Sequence, residues 1–313
     1  MYFPYLRGKQ YELIALRDLG GPLKSEGFIS PIIEPVKNSF TLIKTIESLR
    51  DCGHNFNLIL NPQVGEFNGI KEVIAAVVSP CLSSYRNYQP ALVINGKTRF
   101  NEALSMIGQM KTDGFTIICD GLPQREEDFF TLIGKIEVKY VVLSDSITSK
   151  RFIREIKKAK LPIATLSDPF RVQRTNADYL AEPDEFFSDE HLFYVEEGYA
   201  GFSDFVTIGR EFSESGFLPY AVAIHLTYKN KEDEFRIRHF VSDSNEDTTD
   251  VPGKFGEALE KLVTFIDRVQ LRTAACQEFR RLRRNEDYPG LGSVKKLSIQ
   301  NHFELVYDYL STT

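Results

Sequence analysis

Short apolar runs recur along this chain at near-regular spacing, and three in succession finish on a carboxylate: "FTIICD" at Asp120, "YVVLSD" at Asp145 and "PIATLSD" at Asp168. The runs are continuous rather than alternating. A strand covered on both faces needs that pattern, and parallel strands are the ones covered on both faces. Eight such runs predict eight buried strands: "YFPYLRG" (2–8), "ISPIIEPV" (29–36), "FNLILNP" (56–62), "ALVING" (91–96), "FTIICDG" (115–121), "YVVLSD" (140–145), "PIATLSD" (162–168) and "DFVTIG" (204–209).

The intervening segments carry helical periodicity. Leu13, Leu16 and Leu19 recur on one face before Gly20-Gly21-Pro22 stops the run. Phe40, Ile43, Ile46 and Leu49 repeat the pattern, with Ser39 as N-cap and Gly53 as stop. Ile70, Val73 and Val77 follow, with Pro80 near the end. Phe100, Leu104, Ile107 and Met110 mark a fourth helix, Phe129, Leu132 and Ile136 a fifth, and Phe152, Ile153, Ile156 and Ala159 a sixth.

Strand and helix in regular alternation predict an α/β protein with parallel strands. Eight strands favour a closed (β/α)8 barrel, the TIM-like architecture, over an open sheet, which would need two edge strands that none of these runs resembles. The regularity breaks after Asp168, where residues 171–203 form an acidic, aromatic excursion. "PYAVAIHLTY" and "EFRIRHFVS", joined by "KNKEDE", predict an added β-hairpin at about 219–241. An eighth helix is expected from Gly253, with Phe255, Leu259, Leu262, Ile266 and Val269 on one face. The expected organisation is a barrel over 1–270 and a helical extension packed on it over 271–313.

Composition removes several function classes. The formal charge of −6 argues against a protein that coats nucleic acid, and "RRLRR" at 280–284, flanked by Glu278, Glu286 and Asp287, reads as one solvated helix face. Cys52, Cys81, Cys119 and Cys276 form no C-x-x-C pair, so buried free thiols are expected rather than a zinc site or disulfides. No apolar run approaches the roughly 18 residues of a membrane span, and the start lacks a signal-peptide pattern. A cytoplasmic setting follows as the expectation.

In a barrel of this kind the strand ends open onto one rim, where sites are built. That rim reads Arg7 and Lys9, Glu34 and Lys37, Asn61, Asn95 and Lys97, Asp120, Asp145, Asp168 with Arg171, and Gly209-Arg210. Asp145 and Asp168 also suit helix N-caps, and Asp120 before Gly121 suits a turn. Glu34, between an apolar run and a proline, suits neither, and burial beside Lys37 or Lys97 is the expectation. Glu34, Asp120, Asp145 and Asp168 are the candidate catalytic acids. Arg7, Lys9, Lys37, Asn61, Asn95, Lys97, Arg171 and Arg210 are the candidate ligand-binding residues. Such a rim could hold Mg or Mn through oxygen ligands, or recognise a phosphate or carboxylate through its cations. Arg210, after the eighth strand, lies where many barrels bind phosphate. His225 and His239 fall on the two hairpin strands, where cross-strand packing is the expected relation.

The opening "PYLRGKQYELIALRDL" followed by "ISPIIEPV" resembles the phage beta-protein family, through Lys9, Glu12, Ala15, Leu16 and Leu19 and then Pro31, Ile32, Ile33 and Glu34. The resemblance covers roughly the first 36 residues. It implies a phage or mobile-element setting, with an anti-phage defence operon and a small companion protein, a nuclease among the candidates, in view. It names no reaction.

Two functions therefore stand beside each other: a ligand-sensing or partner-binding component of such a system, and a divalent-metal-dependent hydrolase acting on a phosphoester at the barrel mouth. Whether the protein is an enzyme is left open. The final segment "VKKLSIQNHFELVYDYL" spreads apolar residues over more than one face. Val294, Leu297, Leu305 and Tyr309 make one stripe and leave Phe303, Val306 and Leu310 outside it, which predicts that residues 271–313, with the hairpin at 219–241, contact a second copy or a companion protein; the alternative is that the preceding basic helix covers the second face within one monomer.

Overall fold

The first seven runs form parallel strands in the order the sequence predicts. The structure is a computed structural model and describes residues 1–19, 27–108, 110, 112–213 and 218–312; the stop signal at Gly20-Gly21-Pro22 lies outside them. The strands are β1 (Tyr5–Leu6), β2 (Ile32–Ile33), β3 (Phe56–Ile59), β4 (Tyr88–Ile94), β5 (Phe115–Cys119), β6 (Val138–Ser144) and β7 (Ile163–Ser167). Later in the chain come β8 (Asp184–Ser188) and β9 (Gly201–Asp204), then β10 (Ala223–Lys229) and β11 (Phe235–Val241). The large sheet runs β1-β2-β3-β4-β5-β6-β7-β9, parallel throughout. Tyr2 closes it, bridging Ile29 on one side and Phe202 on the other, and the Phe3 N–H donates to the Phe202 carbonyl at 2.8 Å. Closure removes both sheet edges, as a (β/α)8-type barrel requires.

Helices Gln10–Asp18, Phe40–Asp51, Phe100–Ile107, Glu126–Lys135 and Lys150–Lys158 follow β1, β2, β4, β5 and β6. After β3, Ile70–Val73 passes through a π-helical turn, Ile74–Val78, into Ser79–Leu82. That wider turn sits just ahead of Pro80, whose ring crowds a regular α-helical carbonyl ladder. Ser39 caps the second helix through the Leu42 N–H, as expected. Its buried face is Leu42, Thr45, Ile46 and Leu49, and Phe40 is 76 % exposed rather than on the core stripe.

The eighth barrel strand is displaced from its expected place. It is Gly201–Asp204, and the chain beyond it turns, with Val206 at φ 53, a conformation no β-branched residue adopts within a strand. The longer apolar run at 204–209 hid a shorter strand. A Cβ on Gly201 would lie 2.3 Å from the Met1 carbonyl, so only glycine admits this close approach of the first segment.

Two compact units divide the chain: Met1–Leu13, Leu23–Ser167 and Phe193–Asp204, which hold the barrel strands, and Ile14–Pro22, Asp168–Leu192 and Phe205–Thr313. In the second, the expected hairpin is β10 and β11, and the excursion after Asp168 supplies a third strand, β8, giving an antiparallel sheet in the order β10-β11-β8. Helix Val251–Arg268, expected as the barrel's eighth, buries Phe255, Leu259, Leu262 and Ile266 against Ile224, Leu226 and Phe240 of that sheet. The unit boundaries therefore fall inside the expected 1–270 barrel rather than at 271.

Helix Ala274–Asn285 carries the arginine run, three of whose four arginines pair with acids: Arg280 with Asp267, Arg281 with Glu278 and Asp287, and Arg283 with Glu260. The final helix, Leu291–Thr312, is buried around most of its circumference. Phe303 and Val306 have no exposed surface and Leu310 has 7 %, which removes the argument that they face a partner. Cys81, Cys119 and Cys276 are buried free thiols, whereas Cys52 is exposed. Among the described residues no helix is long and apolar enough to cross a membrane.

Candidate functional site: the barrel mouth

Glu34 follows β2 and is fully buried. Its cation is neither Lys37 nor Lys97, both of which are exposed. Arg7 takes that place, with Nη1 3.0 Å from Oε2. The Tyr5 hydroxyl donates to the same oxygen at 2.9 Å, and the Gln63 backbone N–H donates to the other. Tyr5 and Arg7 reach one carboxylate because alternate residues of an extended segment share a face. Burial, then the Glu34 carboxylate, pushes the Tyr5 hydroxyl well above its ordinary range, so it stays a donor; Asp120 adds in the same direction.

The motif acids at Glu12 and Glu34 converge on one residue. Glu12, itself buried, accepts the Arg7 backbone N–H at 2.7 Å, while Glu34 holds the guanidinium. The opening segment is thus physically a double latch on Arg7, and Lys9 is half-buried.

Asn61 and Asn95 are organisers. The Asn61 amide exchanges two hydrogen bonds with the Val93 backbone, each 2.8 Å, and so continues the pairing of β3 with β4 past the strand end. Asn95 accepts the Lys97 N–H at 2.8 Å and donates to the Gln63 side-chain oxygen at 2.8 Å. Gln63 therefore touches the Glu34 cluster through its backbone and Asn95 through its amide. These residues border a cavity of about 250 Å3 completed by Asn68, Lys97, Arg99 and Glu102. Gly65 lets the loop beneath close: at φ 91, its Cβ position falls 2.1 Å from the Val36 carbonyl. Gly65→Ala is expected to destabilise the protein by more than about 1 kcal/mol, read as a lowered urea midpoint; an unchanged midpoint would show that the loop is not held at Val36.

Asp145 and Asp168 do not act as the caps their sequence context suggested. Ser149, not Asp145, caps Lys150–Lys158, and Thr175 caps the short 3-10 turn Asn176–Leu180 after Asp168. No side chain caps Glu126–Lys135 after Asp120. Asp145 is exposed and its N–H extends the strand ladder to the Leu166 carbonyl, as that of Asp120 does to Ile94. Asp168, in the second unit, accepts the Arg210 N–H at 3.1 Å. Because β9 ends at Asp204, Arg210 is not at a strand end; its guanidinium lies 5.1 Å over the Phe205 ring. Arg171 pairs with Glu185 at 3.3 Å.

Sequence reading missed Tyr5, Gln63 and Asp204. Asp204 ends β9 as Asp120 and Asp145 follow theirs, and it accepts the Tyr2 hydroxyl at 2.7 Å. The misplaced eighth strand concealed it. Among the described residues no group of three or more His, Cys, Asp or Glu side chains is placed to hold a metal ion. Glu34, the most buried of the four candidate acids, already has both oxygens engaged and a guanidinium beside it, surroundings that do not fit a divalent cation.

Fold and site define a closed parallel barrel with a buried acid–arginine latch and a polar cleft at its mouth. No protein-family model matches the chain, and no curated protein matches it in sequence. Among solved structures it is similar to the N-acetylneuraminate lyase from Mycoplasma synoviae, with a TM-score of 0.41 and 10% identity over 65% of this chain and 68% of that one.

Proposed function

We propose that the barrel mouth binds a small polar ligand carrying a phosphate or carboxylate, and that the protein is a ligand-sensing component rather than a metal-dependent hydrolase. The observation that carries this is the cleft beside β3 and β4. Lys97 stands at it exposed and with no ion pair among the described residues, next to a Gln63–Asn95 amide pair already fixed by hydrogen bonds. An unpaired ammonium beside oriented amides recognises an anion that also bears hydroxyls. Occupancy would be felt at the Glu34 cluster through Gln63. The phage beta-protein resemblance supplies the proposed setting, an anti-phage system in which occupancy controls a companion protein.

The test is thermal unfolding with inorganic phosphate, citrate and a panel of sugar phosphates. A ligand at one hundred times its dissociation constant stabilises the folded state by about 2.7 kcal/mol. A rise in melting temperature that Lys97→Met abolishes, without lowering the ligand-free value, is the expected result. No shift with any of these anions, or an equal shift in the variant, would remove the cleft as the site.

A further inference from the structure

A row of titratable groups crosses the three-stranded sheet of the second unit. His225 on β10 and His239 on β11 are cross-strand partners, and they do more than pack: their Nδ1 atoms are 2.7 Å apart. His239 Nε2 lies 3.0 Å from Glu185 Oε1 on β8, and Arg171 holds the other Glu185 oxygen at 3.3 Å. Glu185 and His239 are buried, while His225 retains accessible surface. Tyr179 covers both imidazoles, with ring centroids 4.5 and 4.4 Å away, and Phe170 stands 5.1 Å from His225.

The hydrogen-bond pattern fixes the tautomers. A carboxylate only accepts, so His239 donates from Nε2 and its Nδ1 carries the lone pair. His225 must then donate from Nδ1, which leaves its Nε2 as a bare acceptor. No partner for that nitrogen exists among the described residues. Burial, then the neighbouring His239 and Lys295, holds His225 well below its ordinary range, so the ring is neutral near pH 7.

We propose that His225 Nε2 is a catalytic base, positioned by His239 and Glu185, for a substrate that brings a hydroxyl or a bound water to this face of the sheet. As the O–H bond breaks, the proton bonds to His225 Nε2 and the oxygen keeps the electron pair. The Nδ1 proton of His225 passes to His239 Nδ1, and the Nε2 proton of His239 passes to Glu185. The return of the same protons resets the row. His239 and Glu185 are positioning residues here, since neither meets the substrate.

Diethyl pyrocarbonate, which acylates an unprotonated imidazole nitrogen, is the probe, with each modified histidine identified by mass spectrometry. Among the five histidines, His225 is expected to react fastest, and Glu185→Gln to slow it about 10-fold, the lower end of the loss seen when a metal-bound histidine loses its hydrogen-bonded partner. Should that variant fail to fold, nitrogen-detected NMR of the unmodified protein decides: the proposal requires His225 protonated on Nδ1 and His239 on Nε2. The opposite tautomers, an unreactive His225, or an undiminished rate in a folded Glu185→Gln protein would overturn it.

Discussion

Arg7→Met is expected to destabilise the protein by about 3–5 kcal/mol, the usual consequence of removing one partner from a buried ion pair. Glu34 has no exposed surface, and without the guanidinium its charge would rest on the Tyr5 hydroxyl and the Gln63 N–H alone. Adding Glu34→Gln to Arg7→Met should recover part of the loss, because the second change removes the stranded charge. Urea unfolding of the two single variants and the double variant gives the coupling, expected at about 1–3 kcal/mol for groups in direct contact. Strict additivity would mean that Arg7 and Glu34 contribute independently and that the latch does not exist. The two sites are separable as well. Lys97→Met should abolish anion binding at unchanged stability, whereas the latch variants lose stability first.

Phe303→Ala should lower stability by about 3–5 kcal/mol, the range for emptying a fully buried phenylalanine site. The side chain lies on a helix buried on several faces, which also carries Asn301. The Asn301 amide donates to the Thr227 carbonyl at 2.8 Å and accepts the Thr273 hydroxyl at 2.8 Å. A loss independent of protein concentration is the expected observation. If stability were unchanged while the oligomeric state shifted, Phe303 would be an interface residue and its burial within one chain would be wrong.

What the sequence determined by itself is local. Continuous apolar runs report burial on both faces, so the seven strands from β1 to β7 were legible from composition and spacing, and Ser39 could be read as a cap from its neighbours alone. The hairpin was legible for the same reason, two runs and a short polar connection. Glu34 was also recognisable as unusual, because an acid between an apolar run and a proline has no local use. The tertiary structure decided whatever depends on a partner distant in the chain. Arg7 holds Glu34 from 27 residues away, chosen over nearer or equally charged lysines because strand pairing brings its side chain into the buried layer. Gly201–Asp204 became the eighth strand because the first segment needs a glycine to approach, although the more apolar run begins where that strand ends. Glu185 lay in a segment that reads as an acidic loop, and only its pairing with β11 aligns it with His239 and His225. The final helix had too many apolar faces for one contact surface, and packing within the chain buried them, since periodicity counts the faces of a helix but does not name what covers each one.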